Sequence, residues 1–229
     1  MKIATFNING IKARLPRLLE WLEETRPSVA CLQEIKTQDE GFPEEEFHKI
    51  GYHAIWHGQK GFNGVAILAD GTKPVEVMRG LPGDPEDVQS RYLEADVFGL
   101  RVCSLYLPNG NPQPGPKFDY KLGWMQRLHS RMRDVMAEEV PAIVLGDFNV
   151  IPEDKDIWSP KAMADDALMQ PESRCLCTPS GRRLDRRARP AQSAGRRLDL
   201  LGLSGRCLAA RSRLPDRSPA TVARTRRPA

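Results

Sequence analysis

The stretch AIVLGDFN, residues 142–149, decides the fold. Its first four residues are all apolar, which is typical of a strand that is buried on both faces. A glycine follows, and then the polar residues Asp147 and Asn149, separated by one phenylalanine. The polar residues at the end of this buried strand indicate a candidate chemical site, and the mixture of predicted strands and helices along the chain argues for an α/β layered domain.

Outward from this stretch, other predicted strands also end in polar residues. Asn7, Glu34 and Tyr106 each lie at or just past the carboxyl end of a predicted strand. If those strands lie in one region of sheet, their polar side chains meet at the same end of the strands. These side chains are Asn7, Glu34, Tyr106, Asp147 and Asn149. The strands are predicted at residues 2–7, 29–32, 65–68, 92–97, 100–107 and 142–145, and helices at 14–24, with Pro16 in the first turn, and 117–139.

These residue types fit a metal site that cleaves phosphodiesters. Magnesium neutralises the phosphate, prefers oxygen ligands and keeps several waters, so Glu34 and Asn7 suffice as protein ligands. On an extended backbone Asp147 and Asn149 would point to the same side, one orienting a water and the other holding the phosphate. Tyr106 offers a phenolic donor to a developing oxyanion. Each residue alone is more often a turn, cap or interface residue; their occurrence together favours the site.

The charge of the chain changes sign near residue 174. Residues 1–174 contain 20 Lys and Arg against 27 Asp and Glu, a net charge of −7, and all 15 aromatic residues. Residues 175–229 contain 14 Arg and 3 Asp, a net charge of +11, and no Lys. We find no pattern of alternating apolar residues there, and Arg, Ala, Pro and Gly fill 31 of the 55 positions. Such a segment is predicted to be disordered.

Two explanations of the segment 175–229 remain open. One is a genuine basic tail that binds nucleic acid through its phosphates. The other is that a GC-rich gene is read out of frame, since GC-rich codons supply Arg, Ala, Pro and Gly in any frame. The absence of Lys and the presence of three Cys favour the second explanation. The division is therefore 1–174, the major part of the domain, and 175–229.

Residues 1–174 resemble the exodeoxyribonuclease III group of DNA-repair nucleases and apurinic endonucleases, within the endonuclease-exonuclease-phosphatase superfamily. Five motifs carry this resemblance, and their combination is far more specific than any one of them. They are TFNING (5–10), LQEIK (32–36), HGQKG with GVA (57–61 and 64–66), YLPNG (106–110) and GDFNV (146–150).

The resemblance implies a four-layered α/β/β/α sandwich of the DNase I-like kind. It implies a Mg²⁺ site, also open to Mn²⁺, with Glu34 and Asn7 as ligands and Asp147 and Asn149 beside them. Asp147 would be the general acid or base, and Asn149 its phosphate or metal partner. Tyr106 would lie near the scissile phosphate. Arg91 would contact the DNA backbone, although it is equally well explained as a surface arginine. The substrate would be double-stranded DNA, cut at abasic sites or trimmed from 3′ ends.

The family pattern continues with a Trp-rich stretch and a final Ser-Asp-His element. Residues 175–229 contain no His, Asn or Trp, so those positions cannot be carried over. We therefore expect the second sheet to be incomplete and the phosphodiesterase activity to be severely reduced.

Two other functions remain as alternatives. The first is a non-catalytic nucleic-acid binder that uses the Arg-rich segment. The second is another phosphoesterase of the same superfamily, acting on a phospholipid or an inositol phosphate, against which the motifs at 59–61 and 108–110 argue. The sequence shows no apolar run long enough to span a membrane and no signal peptide. Five irregularly spaced Cys do not predict a disulfide framework, so we expect a reduced, cytoplasmic monomer without a membrane partner.

Overall fold

The computed structural model describes residues 1–175, 198–199 and 221–224. The rest of the Arg-rich segment, for which the sequence predicts disorder, lies outside the described residues. No helix in the described part of the chain is long and apolar enough to cross a membrane. The strands are β1 Lys2–Asn7, β2 Val29–Gln33, β3 Tyr52–His57, β4 Val65–Asp70, β5 Val75–Arg79, β6 Tyr92–Val97, β7 Leu100–Tyr106, β8 Ala142–Asp147, β9 Leu198–Asp199 and β10 Thr221–Arg224. The α-helices are α1 Ile11–Thr25, α2 Glu44–Lys49, α3 Pro116–Ala137 and α4 Pro171–Arg174.

The strands form two sheets of five strands each in the described part of the chain. The first has the order β10-β1-β2-β4-β3, and the second has the order β5-β6-β7-β8-β9. Within them, β1 and β2 are parallel, as are β7 and β8. Parallel neighbours end at the same edge of a sheet, so the last residues of these four strands lie together at two neighbouring edges.

The core has three layers of side chains. One cluster lies between the sheets, with Ile3 and Val65 from the first and Val102 and Leu145 from the second. A second cluster packs α1 and α2 on the outer face of the first sheet, and a third packs α3 on the outer face of the second. This arrangement is the four-layered α/β/β/α sandwich that the sequence predicted. All five residues of β2 are buried, because one of its faces meets a helix and the other meets the opposite sheet.

Four elements of the first part of the chain differ from the sequence prediction. Helix α1 begins at Ile11, not at residue 14, so Pro16 lies inside the helix and not in its first turn. The early start is favoured because the amides of Gly10 and Ile11 donate to the carbonyls of Glu34 and Ile35 and the Ile11 side chain is fully buried. The sequence analysis missed α2, β3 and the largely exposed strand β5.

The segment 175–229 contributes two short strands where the sequence analysis found no strand pattern. Strand β10 pairs antiparallel with β1, and β9 pairs parallel with β8. An edge strand offers unpaired amides and carbonyls to any backbone, so pairing of this kind requires no apolar alternation in the added strand.

Candidate metal and phosphodiesterase site

The predicted site residues lie where four strands end. Asn7 is the last residue of β1, and Glu34 follows β2 directly. In the second sheet, Tyr106 and Asp147 end β7 and β8 and are paired with each other in the parallel register. The structure therefore brings these side chains from both sheets to one end of the sandwich.

Direct hydrogen bonds join the two sheets at this point. The Asn7 amide Nδ2 donates to Glu34 Oε1 at 2.7 Å and to Asp147 Oδ2 at 3.0 Å. The Tyr106 hydroxyl donates to the same Glu34 Oε1 at 2.6 Å. Four of the predicted side chains thus form one connected cluster, with Asn7 between the two carboxylates.

Glu34 is the buried centre of this cluster. Its residue is 6% exposed, and its backbone is left-handed, with φ 55°. Lys36, which the sequence analysis quoted but assigned no role, forms an ion pair with Glu34 Oε2 at 2.9 Å and also donates to the Asn9 carboxamide. Burial opposes ionisation, yet the hydrogen bonds from Tyr106, Asn7 and Lys36 outweigh it and lower the pKa of Glu34 to about 2. The carboxylate is therefore ionised and available to a cation at neutral pH.

We expect the Glu34 carboxylate to stabilise the folded chain at neutral pH and to lose that effect in acid. Its pKa of about 2 lies below the ordinary value of 4.5. A depressed carboxyl pKa contributes stability that is fully present above the unfolded value and is lost as the pH falls through the folded value. The difference corresponds to about 3 kcal/mol.

The measurement is the free energy of unfolding by urea, without metal, for the wild type and for Glu34→Gln. The difference between the two proteins should shrink by about 3 kcal/mol as the pH falls from about 5 to about 2. Subtracting the variant removes the contribution of the other carboxyl groups. A difference that stays constant over this pH range would contradict the expectation.

The turn after β8 departs from the sequence prediction. The strand β8 ends at Asp147, and Asn149 is left-handed, with φ 45°, so the backbone is not extended as far as Asn149. The expectation that an extended backbone points both side chains the same way is therefore wrong. Instead, the Asn149 backbone amide donates to Asp147 Oδ1 at 3.0 Å, and the Asn149 side chain donates to the Leu107 carbonyl at 2.7 Å. These two hydrogen bonds, one from the backbone and one from the side chain of Asn149, fix the tight turn. Asn149 is only 1% exposed, so its polar groups are bonded within the protein and not to bulk water.

Arg91 lies behind Tyr106. Its guanidinium is 4.9 Å from the centroid of the Tyr106 ring, and Nη1 donates to the Tyr106 carbonyl at 3.2 Å. Its Nε donates to Gln89 Oε1 at 2.8 Å. A cation over the ring face and a bond to the same residue's carbonyl both restrict Tyr106, so Arg91 orients that side chain.

The sequence analysis also missed polar residues behind the site. Asn109 donates to Asn149 Oδ1 at 3.3 Å, and the Lys121 ammonium donates to the Asn149 carbonyl at 2.7 Å. Asn109 stood in a quoted motif, YLPNG, which was a usable signal. A lysine in an amphipathic helix carries no such signal, because most lysines there face solvent.

The donor set of the cluster fits a hard divalent cation. In the described ranges, no group of three or more His, Cys, Asp or Glu side chains could hold a metal. Glu34 and Asp147 nevertheless provide carboxylate oxygens on either side of the Asn7 carboxamide, and Mg²⁺ binds through one or two carboxylates while it keeps several waters. Thiolate and imidazole ligands, which Zn²⁺ favours, are not part of these three side chains.

Known proteins are similar to this chain in sequence and in fold. Exodeoxyribonuclease III of Haemophilus influenzae is 40% identical over 162 residues, which are 69% of this chain and 60% of that protein. Two solved structures superpose on the fold: a 3′ phosphatase, NExo, from Neisseria bound to product DNA hairpin (TM-score 0.73, 36% identity) and an AP endonuclease from Archaeoglobus fulgidus (TM-score 0.72, 38% identity). Each match covers 77% of this chain and 68% of the other chain.

The sequence profile of a whole family extends further along the chain. The profile described as the Endonuclease/Exonuclease/phosphatase family matches residues 4–221, from β1 to the first residue of β10. The match contains every residue of the cluster at the strand ends. This chain therefore belongs to the Endonuclease/Exonuclease/phosphatase family.

Proposed function

We propose that this chain is a divalent-metal-dependent phosphodiesterase of DNA repair, acting on double-stranded DNA at abasic sites or 3′ ends. The observation that carries the proposal is the convergence of Glu34, Asn7, Tyr106 and Asp147 from two sheets into one hydrogen-bonded cluster. The names of the similar proteins support the DNA substrate, since they include an exodeoxyribonuclease and an AP endonuclease. The chain spans 60% of the length of the Haemophilus protein.

The metal would be held by Glu34, with Asn7 and Asp147 beside it. Magnesium is the proposed ion, and manganese is a suitable substitute because it also accepts oxygen ligands. The bound ion would neutralise the charge of the phosphate and orient it for attack. The low pKa of Glu34 supports this role, because the carboxylate is already ionised in the absence of metal.

Three residues are proposed to act on the phosphodiester itself. Tyr106, held by Glu34 and Arg91, would lie near the scissile phosphate. Asp147 would hold or release the proton of the attacking water or the leaving oxygen, and Asn149 would support the phosphate side of the site. Arg91, which packs on Tyr106, is proposed to orient that residue and to add positive charge toward the DNA backbone.

The cellular compartment and the oligomeric state of the protein are also proposed. The described cysteines Cys31, Cys103 and Cys175 are free thiols, which supports the proposal of a reducing, cytoplasmic location. We also propose that the chain acts as a monomer, since the cluster is built entirely from side chains of one chain.

The proposed function is tested with a duplex that carries one abasic site and a labelled strand. We expect incision that requires Mg²⁺ or Mn²⁺ and stops with EDTA, at a rate at least ~10² below that of the Haemophilus relative, because residues 175–229 contain no histidine to assist the phosphate. Phospholipid and inositol phosphate substrates should not be hydrolysed.

Three outcomes would revise the proposal in different ways. Hydrolysis of the phospholipid in place of the DNA would move the substrate to another branch of the family. Incision that equals the rate of the relative would show that the metal site is right and that the expected defect is wrong. If the protein binds Mn²⁺ in an electron paramagnetic resonance titration but cleaves neither substrate, the proposed metal site would stand and the proposed phosphodiesterase activity would be rejected.

A further inference from the structure

Lys121 is a buried cation behind the site. It lies in the second turn of α3, and it has no solvent exposure. Removing an ammonium group from water is costly, so a lysine at such a position must be compensated by hydrogen bonds. The identity of those acceptors indicates what this lysine does.

Two acceptors of the Lys121 ammonium are backbone carbonyls in the two loops that carry the site. Nζ donates to the carbonyl of Asn149 at 2.7 Å and to the carbonyl of Asn109 at 3.1 Å. Asn149 follows β8, and Asn109 follows β7. The side chains of these asparagines are joined to each other as well, at 3.3 Å. One ammonium therefore ties helix α3 to both loops.

The Asn149 backbone needs such a restraint. Asn149 has a left-handed φ of 45°, a conformation that persists only where the surroundings hold it. Its amide donates to Asp147 Oδ1, so a shift of the Asn149 backbone moves the atom that fixes the Asp147 carboxylate. Through the backbone of this one residue, from its carbonyl to its amide, the position of Lys121 is coupled to the proposed acid or base.

The packing around the lysine leaves it little freedom. A Cβ atom at Gly110 would lie 2.7 Å from Lys121 Cδ and 3.3 Å from Phe118. The loop that carries Asn109 thus lies directly on the aliphatic part of the lysine. A side chain that is covered at Cδ and bonded at its end to two carbonyls is a rigid connection between the helix and the loops.

We propose that Lys121 is a positioning residue, whose buried ammonium holds the Asn109 and Asn149 backbones and thereby sets the geometry of the Asp147–Asn149 turn. Lys121 acts through these loops and not by contact with the phosphate. The effect expected on the cleavage rate rests on the proposed function, whereas the effect expected on the Asn149 turn does not depend on cleavage.

The kinetic test compares Lys121→Met with the wild type on the abasic duplex under single-turnover conditions. We expect the maximal rate to fall at least ~30-fold, because the turn loses its restraint, while the apparent Kd for DNA changes less than ~3-fold. Lys121→Gln, which keeps a donor but not the charge, should give an intermediate rate.

A matched control separates positioning from general destabilisation. Arg131→Met removes another buried cation from the same helix, one that pairs with Glu94 at 2.7 and 2.8 Å. We expect this variant to be destabilised too, yet to keep the wild-type rate within ~3-fold when assayed below its unfolding temperature. An equal loss of rate in Arg131→Met would overturn the proposal.

The structural test does not require cleavage. The chain contains six asparagines, so a protein labelled with ¹⁵N only in asparagine gives few resonances, and Asn149→Gln assigns the one of interest. The Asn149 signals should shift or broaden in Lys121→Met and in Lys121→Gln, but not in Arg131→Met. Unchanged Asn149 signals in Lys121→Gln would overturn the proposal. That result is decisive even if Lys121→Met does not fold. Absence of cleavage by the wild type would reject the proposed function and leave this readout intact.

Discussion

Replacing Glu34 by glutamine should abolish both tight metal binding and phosphodiesterase activity. The carboxylate is the point where Asn7, Tyr106 and Lys36 converge, and it is the group whose low pKa keeps a full negative charge at the strand ends. Glutamine keeps the shape but removes the charge. We expect the single-turnover rate to fall by about three orders of magnitude, equivalent to roughly 4 kcal/mol of transition-state stabilisation.

Metal affinity gives a second readout for Glu34→Gln. In a Mn²⁺ titration followed by electron paramagnetic resonance, binding should weaken at least ~10-fold, because a neutral amide replaces the anionic ligand. Glu20→Gln is the matched control, since Glu20 is exposed on α1 and pairs across the surface with Arg17. It should change neither quantity. Wild-type Mn²⁺ affinity in Glu34→Gln would place the metal elsewhere.

Replacing Gly146 by alanine should unfold most of the protein at a denaturant concentration that the wild type tolerates. Gly146 lies in β8 with a φ of 151°, and a Cβ there would approach the backbone of the neighbouring strand, 2.0 Å from the Leu105 carbonyl oxygen and 3.0 Å from the Leu105 nitrogen. These are backbone atoms of the parallel partner β7, so no side chain rotation can relieve the contact. We expect a loss of about 3–5 kcal/mol.

The measurement is the free energy of unfolding from a guanidinium titration. Gly99→Ala is the matched control, because Gly99 also has a positive φ, 73°, but a Cβ there would meet nothing within 4 Å. That variant should lose only about 1 kcal/mol from backbone strain. Because Asp147 follows Gly146 directly, Gly146→Ala should also reduce cleavage. Similar losses in the two variants would show that the contact with β7 is relieved.

Much of the fold was readable because local sequence and tertiary environment agree. The apolar runs of β8 and β2 can be buried only between layers, and the amphipathic pattern of α3 has one buried face. In the elements that the sequence did not predict, the local sequence carries no sign of the tertiary environment. Strand β5 is mostly exposed, so no apolar alternation toward a core marks it, and α2 is a single short helix with one buried residue, Phe47.

The site was predicted in part for the same reason. Asn7, Glu34, Tyr106 and Asp147 were found because each ends a recognisable strand, and the ends of parallel strands coincide in space. The geometry of Asn149 could not be found in this way. An extended backbone is the default after a strand, and only the tertiary contacts with Leu107, Asn109 and Lys121 reveal the left-handed turn.

The sequence by itself therefore determined the layered architecture, the position of the polar residues at the strand ends and the resemblance to a nuclease family. These follow from periodicity and from residue type, which are local properties. Only the tertiary structure decided which oxygen of Glu34 meets Tyr106 and Asn7, and why Lys121 is buried behind the site. Those facts depend on how two sheets and a helix approach each other, and distances between residues remote in sequence are set by packing, not by any local pattern.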